Sequence, residues 1–241
     1  MPHSSRDSKE RFSSRVDAYV AARPWYPREV IDHLKQTGGL TPAWHIVDLG
    51  SGTGISCDLF LANGHPDDMI GQYSQMVKYK EPLLVFHNNG TKLENVSATA
   101  GPVFTKSYPA RGLAIGDYNN DGRIDVLIGN NGEAPVLLKN NAGEGNHWVG
   151  LKLQGTSCNR DAIGARLTWS VGGVVRRKMK NAGGSYLSAH DPREVIGLGT
   201  ATKLDYLEIT WPKPSGKKER FEDVPIDRYV TIVEGKGKIE T

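Results

Sequence analysis

Leu113-Ala114-Ile115-Gly116-Asp117-Tyr118-Asn119-Asn120-Asp121-Gly122-Arg123-Ile124-Asp125-Val126-Leu127-Ile128-Gly129-Asn130 decides the reading of this chain. Two short apolar runs flank a loop rich in oxygen side chains. Aliphatic runs of this length, bounded by Asn, Asp and Gly, read as strands joined by a tight turn. Inside the loop, oxygen side chains fall at positions 1, 3, 5 and 9, with glycine at position 6. Side chains at alternate positions converge on the inside of such a loop, and the glycine permits its sharp bend. A hard cation such as Ca²⁺ asks for six or more oxygen ligands. Asp117, Asn119, Asp121 and Asp125 are the candidate side-chain donors, and Arg123 is a candidate through its carbonyl. Position 12 is Ile128, where an EF-hand carries a bidentate Glu, so the loop is not an EF-hand. The plainer alternative is a polar turn joining two strands.

Outward from the loop, short strands alternate with Asn/Gly turns. Leu83–Phe86 and Val136–Leu138 are expected strands. From His147 the strands lengthen: His147–Leu153, Ala165–Ser170, Val174–Met179, Leu204–Trp211 and Tyr229–Val233. In the Leu204–Trp211 run, Leu207, Ile209 and Trp211 alternate with Glu208 and Thr210, the period of a half-buried strand. Lys213 to Arg220 reads as a basic Pro/Gly turn. Trp148, Trp169, Tyr186 and Trp211 are expected in the core, because aromatic rings bury large areas. Arg176-Arg177-Lys178-Met179-Lys180 reads as a solvated strand or as a patch for an anionic polysaccharide or acidic partner. His147, His190 and Asp191 could pair with Ser185 or Ser188 in a hydrolase, yet neither serine sits in a nucleophile elbow.

The first part of the chain follows a different pattern. Phe12, Val16, Tyr19 and Val20, then Val30, Ile31 and Leu34, have helical spacing. His45-Ile46-Val47-Asp48-Leu49 reads as a buried strand entering Gly50-Ser51-Gly52-Thr53-Gly54, and a helical stretch could follow. With Phe12–Tyr19 and Arg23-Pro24-Trp25-Tyr26-Pro27, this opening resembles a class I S-adenosylmethionine-dependent methyltransferase. The resemblance implies Asp48, Gly50, Gly52 and Gly54 as a vestigial loop for S-adenosylmethionine. It covers only about residues 8 to 57, as in a fusion fragment. The later βα units and an acidic strand end for the ribose do not follow.

Asn146–Leu153, Asn159–Leu167, Gly184–Ser188, Gly197–Gly199 and Ile209–Pro212 occur in the order seen in ASPIC/UnbV domains, and this region resembles that family. The loop and its flanks resemble an FG-GAP (VCBS-like) repeat of a β-propeller blade. The combination, over about 58 to 234, is that of proteins related to cartilage acidic protein. The resemblance implies a mainly β fold: a partial propeller segment, then a sandwich- or barrel-like domain, behind a short α/β fragment. The expected divisions are 1–57, 58–145 and 146–241. It further implies a non-enzymatic, calcium-binding interaction or adhesion module with a protein or glycan partner. Methyltransferase activity is the alternative reading.

Composition bounds these readings. Thirty Lys plus Arg against 27 Asp plus Glu leave a formal charge of +3 over 241 residues, a poor argument for nucleic-acid binding. The two cysteines, Cys57 and Cys158, do not make a disulfide framework. No apolar run approaches the roughly 20 residues that span a bilayer. Met1–Arg15 has no apolar segment of the secretory type, so a cytoplasmic location is expected of the chain as written. Relatives of the ASPIC/UnbV type are commonly exported.

Overall fold

The computed structural model describes residues 45–50, 57–72, 74–75, 77–88 and 92–240, with the backbone alone at 45–50, 57 and 58. The helical spacings before His45, and Gly52 and Gly54, lie outside the described residues. The rest is mainly β.

Among the described residues, nine strands precede residue 140: β1 (His45–Gly50), β2 (Cys57–Ala62), β3 (Glu81–Pro82), β4 (Leu84–Asn88), β5 (Leu93–Asn95), β6 (Ser107–Tyr108), β7 (Ala110–Gly116), β8 (Asp125–Asn130) and β9 (Val136–Leu138). They form an antiparallel sheet β1-β2-β4-β5, a second sheet β7-β8-β9 and the small pair β3-β6. Antiparallel pairing of β1 with β2 departs from the expected strand–glycine turn–helix opening. The six residues between them suffice for a hairpin. A parallel crossover would need a dozen or more. Asp48 and Gly50 therefore belong to the first strand of a hairpin, with Asp48 opposite Leu59 and Gly50 opposite Cys57.

The β7-β8-β9 sheet has two unlike faces because side chains alternate along each strand. Leu113, Val126 and Ile128 face inward and share a core with Phe60, Ala62, Leu83 and Ala110. Ala114, Leu127 and Leu137 are register partners on the other face, where Leu127 and Leu137 are exposed.

Ten strands follow: β10 (His147–Gln154), β11 (Arg166–Val171), β12 (Val174–Met179), β13 (Gly184–Ser185), β14 (Ser188–Ala189), β15 (Glu194–Gly199), β16 (Tyr206–Thr210), β17 (Lys218–Phe221), β18 (Tyr229–Val233) and β19 (Ile239–Glu240). Two four-stranded sheets, β15-β10-β18-β19 and β12-β11-β16-β17, share one core, and none of the described sheets closes on itself. Val149, Leu151, Ile196, Val230 and Ile232 come from the first sheet. Leu167, Trp169, Leu207, Ile209 and Phe221 come from the second. Trp169 and Trp211 are buried as expected, whereas Tyr186 is exposed and Trp148 is only half-buried. The expected basic turn at Lys213–Arg220 is in part strand β17: Glu219 and Phe221 alternate inward, and the Trp211 indole N–H donates to Glu219 at 2.6 Å. Glu194–Gly199 is a further strand whose two glycines obscured its pattern.

Glu234 closes one end of this double sheet. Its Oε2 accepts the backbone N–H groups of Thr156, Ser157 and Cys158 at 2.8, 2.7 and 3.0 Å. Burial opposes ionisation there, but a hydrogen bond from Ser215 and the three N–H groups outweigh it and hold the carboxyl at about 2. The same burial, with the carboxylate beside it, pushes the free thiol of Cys158 up to about 11.

A carboxyl depressed in the fold contributes stability above its ordinary value of 4.5, lost as pH falls toward the folded value. Urea titrations should therefore find wild type more stable than Glu234→Gln at neutral pH. That advantage should shrink as pH falls from about 4.5 toward 2. Opposite faces of one sheet give a second expectation. Leu113→Ala, at a position with no exposure, should cost about 2–5 kcal/mol of unfolding free energy. Leu127→Ala should cost about 0.5 kcal/mol or less.

Candidate functional site

Residues 117–125, the loop between β7 and β8 together with the first residue of β8, are wound by their own carboxylates. Asp117 accepts the Asp121 N–H at 3.0 Å on Oδ1 and the Gly122 N–H at 2.8 Å on Oδ2. Asp125 accepts the Tyr118 N–H at 3.2 Å and, on its other oxygen, the Asn140 N–H at 2.8 Å. Both residues are almost wholly buried, at 1% and 2% exposure. Asp121 accepts the Arg123 N–H at 2.9 Å, the Asn119 side-chain amide at 2.8 Å and the Arg123 guanidinium at 2.5 Å. Gly122 turns at φ 80°, and any Cβ there would meet the Trp148 ring at about 2.2 Å. The glycine thus serves both the bend and the approach of an indole from another sheet.

Residues distant in sequence complete the site. Arg193 donates to the Asp117 carbonyl at 2.9 Å and to Asn120 Oδ1 at 2.6 Å. It also bonds both oxygens of Asp191 and lies 4.0 Å over the Tyr229 ring. The Tyr229 hydroxyl donates to Asp117 Oδ2 at 2.8 Å, and the Trp148 ring meets Tyr229 edge-on at 5.1 Å. Residues 188–191 run beside the free edge of β7. The Leu113 N–H donates to Ser188 Oγ, the Ile115 N–H to His190 Nδ1, and the Asp191 N–H to the Ile115 carbonyl. Between these parts lies an open cleft of about 230 Å³, whose lining includes Ile115, Asp117, Asp125, Asp191 and Arg193. Lys180, 1% exposed, donates to the Pro192 carbonyl and sits 3.8 Å from Glu194, which fixes the segment carrying Asp191 and Arg193.

Residues 155–239, which span β11 to the start of β19, match the family model described as ASPIC and UnbV. This segment is an ASPIC/UnbV domain. A search of curated proteins returns no match to the chain. Asp191, Arg193 and Tyr229 thus belong to the ASPIC/UnbV domain, and the loop they grip precedes it in sequence.

The electrostatics of the loop are uneven. Burial, and then the neighbouring charges of Asp121 and Asp117, push the Asp125 carboxyl up despite two backbone donors. Burial opposes ionisation of Asp121 as well, but Asn119 and Arg123 hold it below the usual carboxylate range. In the ASPIC/UnbV domain, burial likewise acts against Asp191, and Arg193 overrides it. Burial and the Asp117 carboxylate raise the Tyr229 phenol, which stays a donor.

Asp117, Asn119, Asp121, Arg123 and Asp125 lie in one stretch of chain, where the Asp121 N–H donates to Asp117 and Asp121 accepts from Asn119 and Arg123. Among the described residues, no three His, Cys, Asp or Glu side chains converge as a ready metal cluster. The loop's own N–H groups and Arg123 hold the carboxylates instead. Of the imagined hydrolase grouping, Ser188 Oγ and His190 Nδ1 accept backbone N–H groups of β7, and the Asp191 carboxylate holds Arg193. His147 pairs with Asp227 at 2.8 Å. Sequence reasoning missed Trp148, Arg193 and Tyr229 as partners of the loop. No local pattern announces a contact that joins residues 112 positions apart.

Arg193→Ala should lower unfolding free energy by about 2–3 kcal/mol, since charged hydrogen bonds to Asp191 and the loop are lost together. Arg193→Lys should recover only part, because an ammonium cannot reproduce the planar fork. Denaturant titration followed by tryptophan fluorescence reads both.

Proposed function

We propose that the 117–125 loop takes up Ca²⁺ and that the chain acts as a non-enzymatic, calcium-stabilised interaction module for a protein or glycan partner. On this reading β7-β8-β9 is an FG-GAP-type blade, and the ASPIC/UnbV domain braces it. An exported, adhesion-type setting accords with the domain family and with the millimolar calcium outside cells.

The observation that carries the proposal is the charge imbalance at Asp125. Three carboxylates share one nine-residue loop, and only Asp121 has a cation of its own within the loop. A carboxyl raised by its burial, and further by like charges, destabilises the folded state at neutral pH, where it is ionised. A divalent cation would remove that cost. The donor set fits a hard ion: Asp117, Asp121 and Asp125 carboxylates, the Asn119 side-chain oxygen and the Arg123 carbonyl, with water completing the shell. The Arg123 guanidinium on Asp121 would have to yield, which favours modest affinity. Bound calcium would neutralise the loop and tie β7 to β8. It would also firm the grip of Arg193 and Tyr229, which hold Asp117 directly.

Calcium at ten times its dissociation constant should stabilise the fold by about 1.4 kcal/mol, a rise in melting temperature of about 3–6 °C. Chelator should reverse the rise, and Asp121→Ala should abolish it. The shift should weaken on acidification, because protons compete first at Asp125. A wild-type melting curve indifferent to millimolar calcium would remove the proposal.

A further inference from the structure

Away from the loop, two directly opposed residues of the ASPIC/UnbV domain each carry a buried N–H donor with no acceptor among the described residues. Trp169 on β11 is 6% exposed, and its indole N–H has no acceptor. Arg176 on β12 is its direct cross-strand partner. Directly opposed residues present their side chains on the same face, with Cβ atoms about 4.5–5.5 Å apart. Arg176 is half-buried, and its Nε–H is buried without an acceptor. Among the described residues it has no ion pair and no hydrogen bond through its side chain.

The nearby carboxylates are engaged elsewhere. Glu194 holds Lys178 at 2.8 Å and lies 3.8 Å from Lys180. Asp205 holds Ser170 and the Gly173 N–H, at 2.7 and 2.8 Å. A half-buried guanidinium without a counter-charge is costly, and so is a buried indole N–H without an acceptor. One water could satisfy the indole but would leave the charge uncompensated. β12 is the edge strand of its sheet, so a ligand can reach Arg176 from outside the sandwich.

We propose that Trp169 and Arg176 form a receptor for a single oxyanion, the carboxylate or sulfate group of an acidic ligand. One ligand oxygen accepts the indole N–H. A second accepts from the guanidinium, whose planar fork suits two oxygens on one centre. This site is independent of the calcium loop and shares no residue with it.

The test uses the full chain labelled with ¹⁵N. The Trp169 indole resonance, one of five in the chain, is assigned by its loss in Trp169→Phe. Sodium acetate and sodium sulfate are titrated separately, with sodium chloride at matched ionic strength as control. The expected result is a saturable shift of the Trp169 resonance alone, absent with chloride. Arg176→Gln should weaken it about tenfold or more, and Arg177→Gln should leave it unchanged. Tighter binding of acetate would assign carboxylate ligands, and tighter binding of sulfate would assign sulfated ones. Should Arg176→Gln fail to fold, Arg176→Lys tests the same point, since it keeps the charge but loses the Nε–H and the fork. No saturable shift with either anion, or an equal response in the Arg176 variant, would overturn the proposal.

Discussion

Arg193 is the contact on which the described architecture turns. Its guanidinium bonds Asp191, the Asp117 carbonyl and Asn120, and covers the face of Tyr229. An arginine can do this because five donors lie in one rigid plane whose face is also free to stack. The loop at 117–125 is therefore not a free hairpin tip. It is held from the ASPIC/UnbV side by a cation, and by the Tyr229 hydroxyl on the very carboxylate that winds the loop. Lys180 and Glu194 stand behind this contact and fix the backbone that carries Arg193.

The same segment solves a second problem. A three-stranded sheet leaves two edges, and an open edge invites pairing with other chains. Along β7, the N–H groups of Leu113 and Ile115 bond Ser188 and His190, and the Ile115 carbonyl accepts from Asp191. The Ser188 hydroxyl and the His190 Nδ1 thus help to cover an edge. Burial lowers the His190 pKa, which keeps the imidazole neutral and able to accept from a backbone N–H.

Charge is distributed unevenly between the two places singled out for ligands. In the loop, carboxylates outnumber cations, and burial, with the neighbouring Asp121 and Asp117 charges, raises the Asp125 carboxyl. At the β11–β12 edge, the Arg176 Nε–H and the Trp169 indole N–H have no acceptor among the described residues. Each imbalance underlies one of the two proposals, a metal ion in one case and an oxyanion in the other.

Much of the strand order was legible in the sequence. Alternating runs such as Leu207–Ile209–Trp211 and the aliphatic flanks of the loop can bury one face only as strands, so pattern alone determined them. The oxygen-rich pattern of the 117–125 loop was equally legible, since its spacing is local. The sequence did not determine whether β1 leads to a helix or a hairpin: a glycine turn permits either, and pairing with β2 decides. Glu194–Gly199 and Lys218–Phe221 were hidden, because glycine and charge mask an alternation that only neighbouring strands reveal. Arg193, Tyr229 and Trp148 became parts of the site only in three dimensions. Their contacts with the loop are set by the packing of distant strands, and no sequence spacing encodes that distance.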